Sequence, residues 1–202
     1  MELVGDLSWI EVVSHAIGIF GGGFAVWSLI RPAHVELKVA DTVDLVIGRD
    51  GLISDFHLAC SFENHGARIG TVQRMRAEII NPDRESREFG WVAFVGYQPR
   101  DPENPYRMQR VPIEDRHAIA IRKNDAEFAC VLFRSPRREG FQWVAGEYTF
   151  EISIWVNAKK PTSDPQTKSF RAIVPERLAE QIGEPRESTD YWAIEIIDWD
   201  PN

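Results

Sequence analysis

Apolar and polar residues alternate along most of the chain with a period of two. In FHLACSFEN, at positions 56–64, one face of an extended segment carries Phe56, Leu58, Cys60 and Phe62. The same alternation recurs in EYTFEISIWVN at positions 147–157. Successive side chains of a β-strand point to opposite faces of a sheet, so a strand with one buried face produces this pattern. The chain is therefore predicted to consist mainly of β-strands.

Turn-forming sequences divide the alternating segments into short strands. Further strands are predicted at 34–47, 70–80, 91–97, 117–121, 127–134 and 169–174, with RDG, ENHG and NPD between some of them. A short helix is predicted at 176–182, and a last strand at 191–199 is expected to pair with a sheet edge. Many short strands without a long amphipathic helix among them favour an antiparallel β-sandwich, either immunoglobulin-like or an open barrel.

The N-terminal part of the chain has a different pattern. Residues 12–30, VVSHAIGIFGGGFAVWSLI, contain no formally charged side chain, and as a helix they would span about 28 Å. This length matches the hydrocarbon core of a bilayer. Trp9 and Trp27 are predicted to lie at the membrane interfaces, and Arg31 with the proline after it ends the segment. We therefore expect one transmembrane helix in a single-pass protein whose partners include the lipid bilayer.

Two other interpretations of residues 12–30 stay open. A cleavable signal peptide normally begins with a positively charged region, whereas this chain begins with MELVGD. A helix buried in a core or lying in the membrane interface is the second alternative, because the four glycines in the segment lower its helix propensity.

Small residues recur at every fourth position of this apolar segment. Ser14, Gly18 and Gly22 would form a strip along one helix face where two backbones can approach closely in lipid. We expect helix–helix packing through this strip to support a homo-oligomer.

The distribution of charge predicts the orientation and the partners. No Lys or Arg precedes the apolar segment, whereas Arg31, Lys38 and Arg49 follow it, so the positive-inside rule places the C-terminal domain in the cytoplasm. The expected domains are a membrane anchor at 1–31, a β-sandwich at 32–175 and a helix and strand extension at 176–202. The formal net charge of −8 lacks the basic excess of nucleic-acid-binding proteins, so no nucleic acid is expected as a partner.

Cys60 and Cys130 are the chain's two cysteines, and both are predicted to point toward the core. As reduced thiols in the cytoplasm they would act as small buried hydrophobic residues. The alternative is an inter-sheet disulfide between them, which would suit a domain outside the cytoplasm.

The segment 98–116, QPRDPENPYRMQRVPIEDR, is predicted to be a long loop rich in proline and charge. Long irregular loops often carry binding residues, so we treat Arg100, Tyr106, Arg107 and Arg110 as candidates for contact with a partner or small ligand.

No catalytic, cofactor or metal-binding motif is present in the sequence. HExxH, CxxC, GxSxG and P-loop spacings are absent, so no enzyme activity, cofactor or metal is predicted. We expect a membrane-anchored cytoplasmic recognition, sensor or effector subunit that binds a protein partner or small ligand through its β-domain. The alternatives are an extracytoplasmic binding module with a Cys60–Cys130 disulfide and an enzyme whose catalytic residues lie on loops.

Overall fold

Ten β-strands and one short helix make up the part of the chain that the structure describes. This computed structural model describes residues 31–101, 104–136, 143–157, 164–185, 187 and 189–199, and the side chains of 97–110 and 199 are outside that description. The strands are β1 (Val35–Ile47), β2 (Ile53–Asn64), β3 (Gly70–Ile80), β4 (Ser86–Asp101), β5 (Asn104–Asp115), β6 (Ile119–Ile121), β7 (Ala126–Arg134), β8 (Gly146–Val156), β9 (Gln166–Val174) and β10 (Asp190–Trp199), and the helix α1 is Glu176–Gln181.

Eight of these strands form a closed antiparallel barrel. Their order around the ring is β4-β7-β2-β1-β10-β9-β8-β3, and the pairing of β3 with β4 closes it. β5 extends the sheet beyond β4, and β6 extends it beyond β3. Closure turns one face of every ring strand toward a shared interior, so the inward side chains of all eight strands form the core.

Aromatic side chains fill much of the barrel interior. The Phe56 ring stacks on Phe133 with 4.9 Å between centroids, and it meets Phe89 and Phe150 edge-on at 5.3 and 5.7 Å. The Phe150 ring stacks in turn on Phe170 at 5.0 Å. All five rings are buried. These offset and edge-on arrangements are the ones that aromatic quadrupoles favour.

Side chains outside the ring strands complete the core. Leu178 of α1 is fully buried against it. The buried Trp143 ring stacks on Tyr148 with 4.9 Å between centroids, and its Nε1 donates a hydrogen bond to the Ile53 carbonyl at 3.3 Å. The Tyr148 hydroxyl accepts a hydrogen bond from the backbone N–H of Val144 at 2.8 Å and donates one to its carbonyl at 3.0 Å. Each buried polar tip thus has a backbone partner.

The side chain of Asn64, at the end of β2, joins several chain segments. Its Oδ1 accepts hydrogen bonds from the backbone N–H groups of His34 at 3.3 Å and Gly66 at 2.9 Å. Its Nδ2 donates to the carbonyls of Arg68 at 2.7 Å and Ile121 at 3.1 Å. Both functions of this buried amide are therefore used, and they tie the start of β1, the β2–β3 connection and β6 together.

The predicted β-sandwich is wrong, although the mainly β character is confirmed. β4 pairs with β3 through residues 86–90 and with β7 through residues 90–94, and this shared strand closes a single sheet. A sandwich strand and a barrel strand both have one buried face, so the alternation in the sequence is the same for both. The immunoglobulin-like and open-barrel forms are corrected together to a closed ring of strands.

The expected membrane anchor is also contradicted. Across the part of the chain that the structure describes, no helix has the length and apolar character needed to cross a membrane. The fold class with an N-terminal transmembrane helix and the placement as a single-pass membrane protein are corrected accordingly. That prediction rested on residues 12–30, which lie outside the described residues. Length and lack of charge are necessary for a spanning helix, but they do not by themselves establish one.

Cys60 and Cys130 lie on neighbouring strands, and they do not form a disulfide. In the register of β2 with β7, Cys60 faces Ala129 and Cys130 faces Ala59, so the two side chains leave the sheet on opposite sides. Cys60 is in the barrel core, and burial raises the pKa of its thiol. Cys130 packs on a small cluster outside the barrel. The prediction that both point inward is wrong for Cys130, and a disulfide would need Cβ atoms that face each other.

The C-terminal segment contributes a strand to the ring. β10 pairs with β1 on one side and with β9 on the other, so it does not lie at a sheet edge. The short helix predicted at 176–182 is present as α1, Glu176–Gln181. Its N-terminal proline at 175 accepts the first backbone hydrogen bonds of the helix through its carbonyl.

Candidate functional site

A gap in the sheet lies between β3 and β4. β4 pairs with residues 76–80 of β3 and then moves across to β7, while β6 pairs with residues 70–72 of β3. Among the described strands, none pairs on this side with the intervening residues 73–75. The chain between β5 and β6, residues 116–118, passes the same place. The change of partner by β4 therefore opens the wall of the barrel at one point.

A cavity of about 500 Å³ occupies this gap. We call it the basic pocket, and it is lined by Gln73, Arg74, Met75, Trp91, Arg116 and His117. Met75 and Trp91 are buried and belong to the barrel core, so they form an apolar floor. Gln73, Arg74, Arg116 and His117 are exposed and stand around it. A concave surface with an apolar floor and a few polar groups is typical of small-molecule sites.

Several contacts hold the lining residues in place. The Arg116 guanidinium donates from Nη1 to the Trp91 carbonyl at 3.3 Å, and the Arg116 backbone N–H donates to the Val92 carbonyl at 3.2 Å. The Trp91 Nε1 donates to the Ala93 carbonyl at 3.2 Å. The Arg74 guanidinium lies 4.7 Å from the centroid of the Trp155 ring. Arg116 and Trp91 are thus fixed by hydrogen bonds, and Arg74 by a cation–π contact.

The charge of the basic pocket favours an anion. Two guanidinium groups carry permanent positive charge, and the Gln73 amide adds hydrogen-bond donors. None of the six lining residues is a carboxylate. The nearest recorded acid contact is between His117 Nδ1 and Glu114 Oε1 at 3.6 Å, at the rim. Guanidinium groups match the geometry of carboxylate and phosphate oxygens, so the pocket is suited to a ligand with such a group.

A second, more apolar cavity of about 290 Å³ adjoins the first at His117. The His117 ring lies 4.8 Å from the Phe94 ring, whose other side meets Trp91 edge-on at 5.2 Å. Val95, Ile113 and Phe128 also line this cavity. His117 therefore lies between the basic pocket and a second cavity at the base of the β4–β5 hairpin.

The predicted binding loop forms a β-hairpin with two register shifts, at Phe94/Val95 and at Pro99/Asp101. β4 continues to Asp101, β5 begins at Asn104, and the two strands pair from Ala93↔Asp115 to Asp101↔Asn104. Proline is tolerated in such edge strands because one side of each backbone needs no partner. The candidates Arg100, Tyr106, Arg107 and Arg110 lie on these strands, and their side chains are outside the described residues. Arg116 and His117, just beyond the hairpin, are the residues that line the basic pocket.

The other predicted site residues belong to the N-terminal segment. Ser14, Gly18, Gly22, Trp9 and Trp27 all lie outside the described residues. Arg31 is the first described residue and is exposed. The six residues that line the basic pocket are not among the predicted site residues.

Arg74 and Arg116 were missed as site residues by reasoning from sequence. In TVQRMRAEII, Arg74 falls on the polar face of a predicted strand and looks like an ordinary solvent-exposed cation. Arg116 is the last residue of the segment predicted to be a loop. The two positions are brought together because β4 changes partner, which no local pattern records. The sequence feature that could have pointed to this site is a cluster of cations at the end of a proline-rich segment. Such clusters are common on protein surfaces, so this feature is a weak signal.

His57 is buried on the outer side of the barrel wall. It lies opposite Asp44 on β1 and opposite Leu132 on β7, and its ring is 5.5 Å from the Tyr191 ring. Its Nδ1 is buried without a hydrogen-bond partner among the described residues. Burial lowers the pKa of His57 from 6.5 to about 4, although the Asp55 carboxylate partly opposes this shift.

The lowered pKa of His57 predicts that the fold loses stability in mild acid. The unfolded chain binds a proton at this residue below pH 6.5, whereas the folded protein binds it only near pH 4. The contribution of neutral His57 to the free energy of unfolding is therefore fully present above pH 6.5. This contribution falls by roughly 2–3 kcal/mol as the pH decreases toward 4. Urea unfolding at pH 7 and pH 4.5 measures this loss. His57→Leu should lose less stability than the wild type between these pH values, and an identical loss would contradict the prediction.

Comparison with known proteins adds only distant structural likenesses. No family model matches the chain, and no curated protein matches it. The chain is similar to a late embryogenesis abundant protein, with 14% identity and a TM-score of 0.38. The likeness covers 84% of this chain and 87% of that protein. It is similar to the ApaA protein from Bordetella pertussis at 9% identity and a TM-score of 0.37, over 73% of this chain and 98% of that one.

A third likeness is to a family 123 glycoside hydrolase from Clostridium perfringens, with 12% identity and a TM-score of 0.35. It covers 70% of this chain, which spans only 27% of the hydrolase. With TM-scores below 0.5, none of these likenesses indicates a shared function.

Proposed function

We propose that this protein is a non-catalytic recognition module that binds a small anionic ligand in the basic pocket. The observation that carries this proposal is the placement of Arg74 and Arg116 around one cavity of about 500 Å³ with an apolar floor. The two arginines come from different parts of the chain and converge only in the folded barrel. The ligand class is a carboxylate or phosphate, because guanidinium groups bind both through paired hydrogen bonds.

The apolar floor favours an anion that also carries a flat apolar group. Trp91 presents a buried ring at the base of the pocket, and the Met75 side chain adapts to irregular apolar shapes. The cavity volume lies within the range of small-molecule sites. A ligand with both features would gain contact with the floor while its charge stays at the exposed guanidinium groups.

The lining supports binding rather than covalent chemistry. It offers two guanidinium groups, an amide, an imidazole, an indole and a thioether, and none of the six residues carries a hydroxyl, thiol or carboxylate. Nucleophilic catalysis commonly uses one of those groups beside a base. The arrangement therefore suits charge recognition, as in a sensor or effector subunit that responds to a ligand.

Titration of the full chain with phenyl phosphate, inorganic phosphate and phenol tests the proposal. We expect phenyl phosphate to bind more tightly than either fragment, because only phenyl phosphate contacts both the arginines and the floor. Arg74→Gln should weaken phenyl phosphate binding by about tenfold or more, since a charge-assisted hydrogen bond contributes roughly 1.5–3 kcal/mol. Isothermal titration calorimetry at low salt gives the dissociation constants.

Arg49→Gln is the matched control, because Arg49 is also an exposed arginine but lies in the turn between β1 and β2. It should leave phenyl phosphate binding within about twofold of the wild type, well below the tenfold change that corresponds to 1.4 kcal/mol. Equal weakening by Arg49→Gln and Arg74→Gln, or no saturable binding of any of the three compounds, would contradict an anion site at the basic pocket.

A further inference from the structure

The barrel wall divides where β4 leaves β7. The two strands pair from Gly90↔Arg134 to Phe94↔Val131, and beyond this point β4 continues with β5 while β7 continues with β2. Among the described strands, none pairs with the β4-facing side of β7 over residues 126–130. The second cavity, of about 290 Å³, lies in this division between Phe94, Ile113 and Phe128, and we call it the split groove. One wall of the split groove is therefore an open strand edge.

The ends of the β2–β7 pairing show which backbone groups face the split groove. Ser135 donates its N–H to the Ser54 carbonyl at 2.8 Å, and Asn64 donates its N–H to the Asp125 carbonyl at 3.0 Å. In an antiparallel pair, residues directed toward the partner alternate with residues directed away. The odd-numbered residues of β7 are thus directed to β2, and the even-numbered ones to the other side. Phe128, in the middle of the open stretch, directs its N–H and C=O into the split groove.

The side chains along this edge are unusually apolar for an unpaired strand. Phe128 is 80% exposed, and Ile113 on the facing hairpin is 57% exposed. Protein sheets usually protect an open edge with lysine, proline, a bulge or a covering segment. Residues 126–130 contain no lysine or proline, and their pairing with β2 has no bulge. An exposed aromatic side chain at the centre of an open edge favours pairing with another strand.

The charges around the split groove indicate what kind of strand it accepts. Its two charged lining residues are Glu114 and Glu127, and both are exposed. The whole chain has a formal net charge of −8, so a second copy would bring further negative charge to this edge. A basic segment of another protein would complement the two carboxylates.

We propose that β7 residues 126–130 form a strand-addition site for an extended partner segment in which apolar residues alternate with lysine or arginine. The backbone of the partner pairs with Phe128 and its neighbours, as in other complexes where a peptide extends a sheet. Apolar side chains on one face of the partner cover Phe128 and Ile113, and basic side chains meet Glu114 and Glu127. This site adjoins the basic pocket at His117 but does not depend on the ligand proposed there.

Titration of the full chain with the peptides KVKVKVK and EVEVEVE tests strand addition. Both peptides favour extended structure and differ only in charge, so we expect KVKVKVK to bind at least about tenfold more tightly. Phe128→Pro removes the groove-directed N–H while leaving the β2-directed groups of residues 127 and 129 unchanged, and it should weaken KVKVKVK binding by about tenfold or more. Fluorescence anisotropy of labelled peptides measures these affinities, and circular dichroism shows whether each variant is folded.

Phe128→Gln and Ile69→Gln keep the test decisive if the proline variant does not fold, because glutamine removes the apolar side chain without adding a charge. Ile69 is 60% exposed and lies in the β2–β3 connection, outside the split groove, so Ile69→Gln makes a similar change elsewhere. Weakened KVKVKVK binding in Phe128→Gln with unchanged binding in Ile69→Gln supports the site. Equal binding of the two peptides by the wild type, or equal effects of the two glutamine variants, overturns it.

A second copy of the chain is the other possible occupant. If the wild type forms a dimer that Phe128→Gln dissociates, and if the wild type does not bind the peptide, the second copy is the occupant and the proposal is overturned. Phenyl phosphate binding is measured on the same variants, so that failure of the split groove is distinguished from failure of the basic pocket.

Discussion

Asn64→Asp is expected to destabilise the fold by roughly 3–5 kcal/mol, although the two side chains have nearly the same shape. The Asn64 Nδ2 donates to the carbonyls of Arg68 and Ile121, whereas an aspartate oxygen can only accept. The substitution therefore loses two hydrogen bonds and places a carboxylate oxygen beside two carbonyl oxygens in a buried position. Unsatisfied buried groups cost about 1–3 kcal/mol each, and a buried charge costs more. Urea unfolding at pH 7 measures the change in the free energy of unfolding.

Asn81→Asp is the matched control for this substitution. Asn81 is also buried, but the recorded hydrogen bond of its side chain is made by Oδ1, which accepts from the Glu85 N–H at 2.7 Å. Aspartate keeps that acceptor, so Asn81→Asp should cost at least about 2 kcal/mol less than Asn64→Asp, which loses two donated hydrogen bonds. If the two variants were destabilised equally, the donor role assigned to Asn64 would be wrong.

The Asn64 hydrogen bonds also bear on the candidate site. Its Nδ2 holds the last residue of β6, and β6 follows directly after Arg116 and His117, which line the basic pocket. Loosening β6 should therefore weaken phenyl phosphate binding even in those Asn64→Asp molecules that remain folded. This effect would be an indirect one on position, because Asn64 itself does not line the pocket.

Phe56→Ala is expected to cost about 3–5 kcal/mol, as is usual when a buried phenylalanine is truncated. The Phe56 ring is fully buried and contacts the rings of Phe89, Phe133 and Phe150. These three neighbours belong to three different strands of a closed barrel, so they cannot all move inward to fill the space that the ring leaves. The same urea experiment should show a lower midpoint with an unchanged slope.

Phe128→Ala provides the comparison, since it removes the same number of atoms from a ring that is 80% exposed. We expect a change in unfolding free energy of less than about 0.5 kcal/mol, as for other surface substitutions. A large loss in Phe128→Ala would mean that its side chain is covered in solution, and a small loss in Phe56→Ala would contradict the packing of the barrel interior.

The strands were largely predictable because each leaves a local record in the sequence. The alternation in FHLACSFEN and EYTFEISIWVN reflects one buried face, and these segments lie in β2 and β8. β3 begins and ends at the predicted residues, Gly70 and Ile80. The strand β5 was missed because prolines and charges interrupt the alternation on a hairpin that extends outside the barrel. Only strands that pack one face on the core have to show a period of two.

The candidate site was not predictable because its residues meet through the topology. Arg74 and Arg116 lie on β3 and after β5, and their proximity depends on the point where β4 exchanges β3 for β7. The split groove has the same origin. A sequence shows which residues of a strand face inward, but it does not show which strand lies alongside or where a pairing ends.

The sequence by itself determined that this protein is mainly β, where most of its strands lie, and that a short helix precedes the last one. The tertiary structure alone decided that the sheet closes into a ring, that β10 lies inside that ring, and that Cys60 and Cys130 leave the sheet on opposite sides. The physical reason is that alternation follows from local backbone geometry and one-sided burial, which are the same in a sandwich and in a barrel. Closure depends on hydrogen bonds between strands far apart in the chain, and these leave no periodic mark on the sequence.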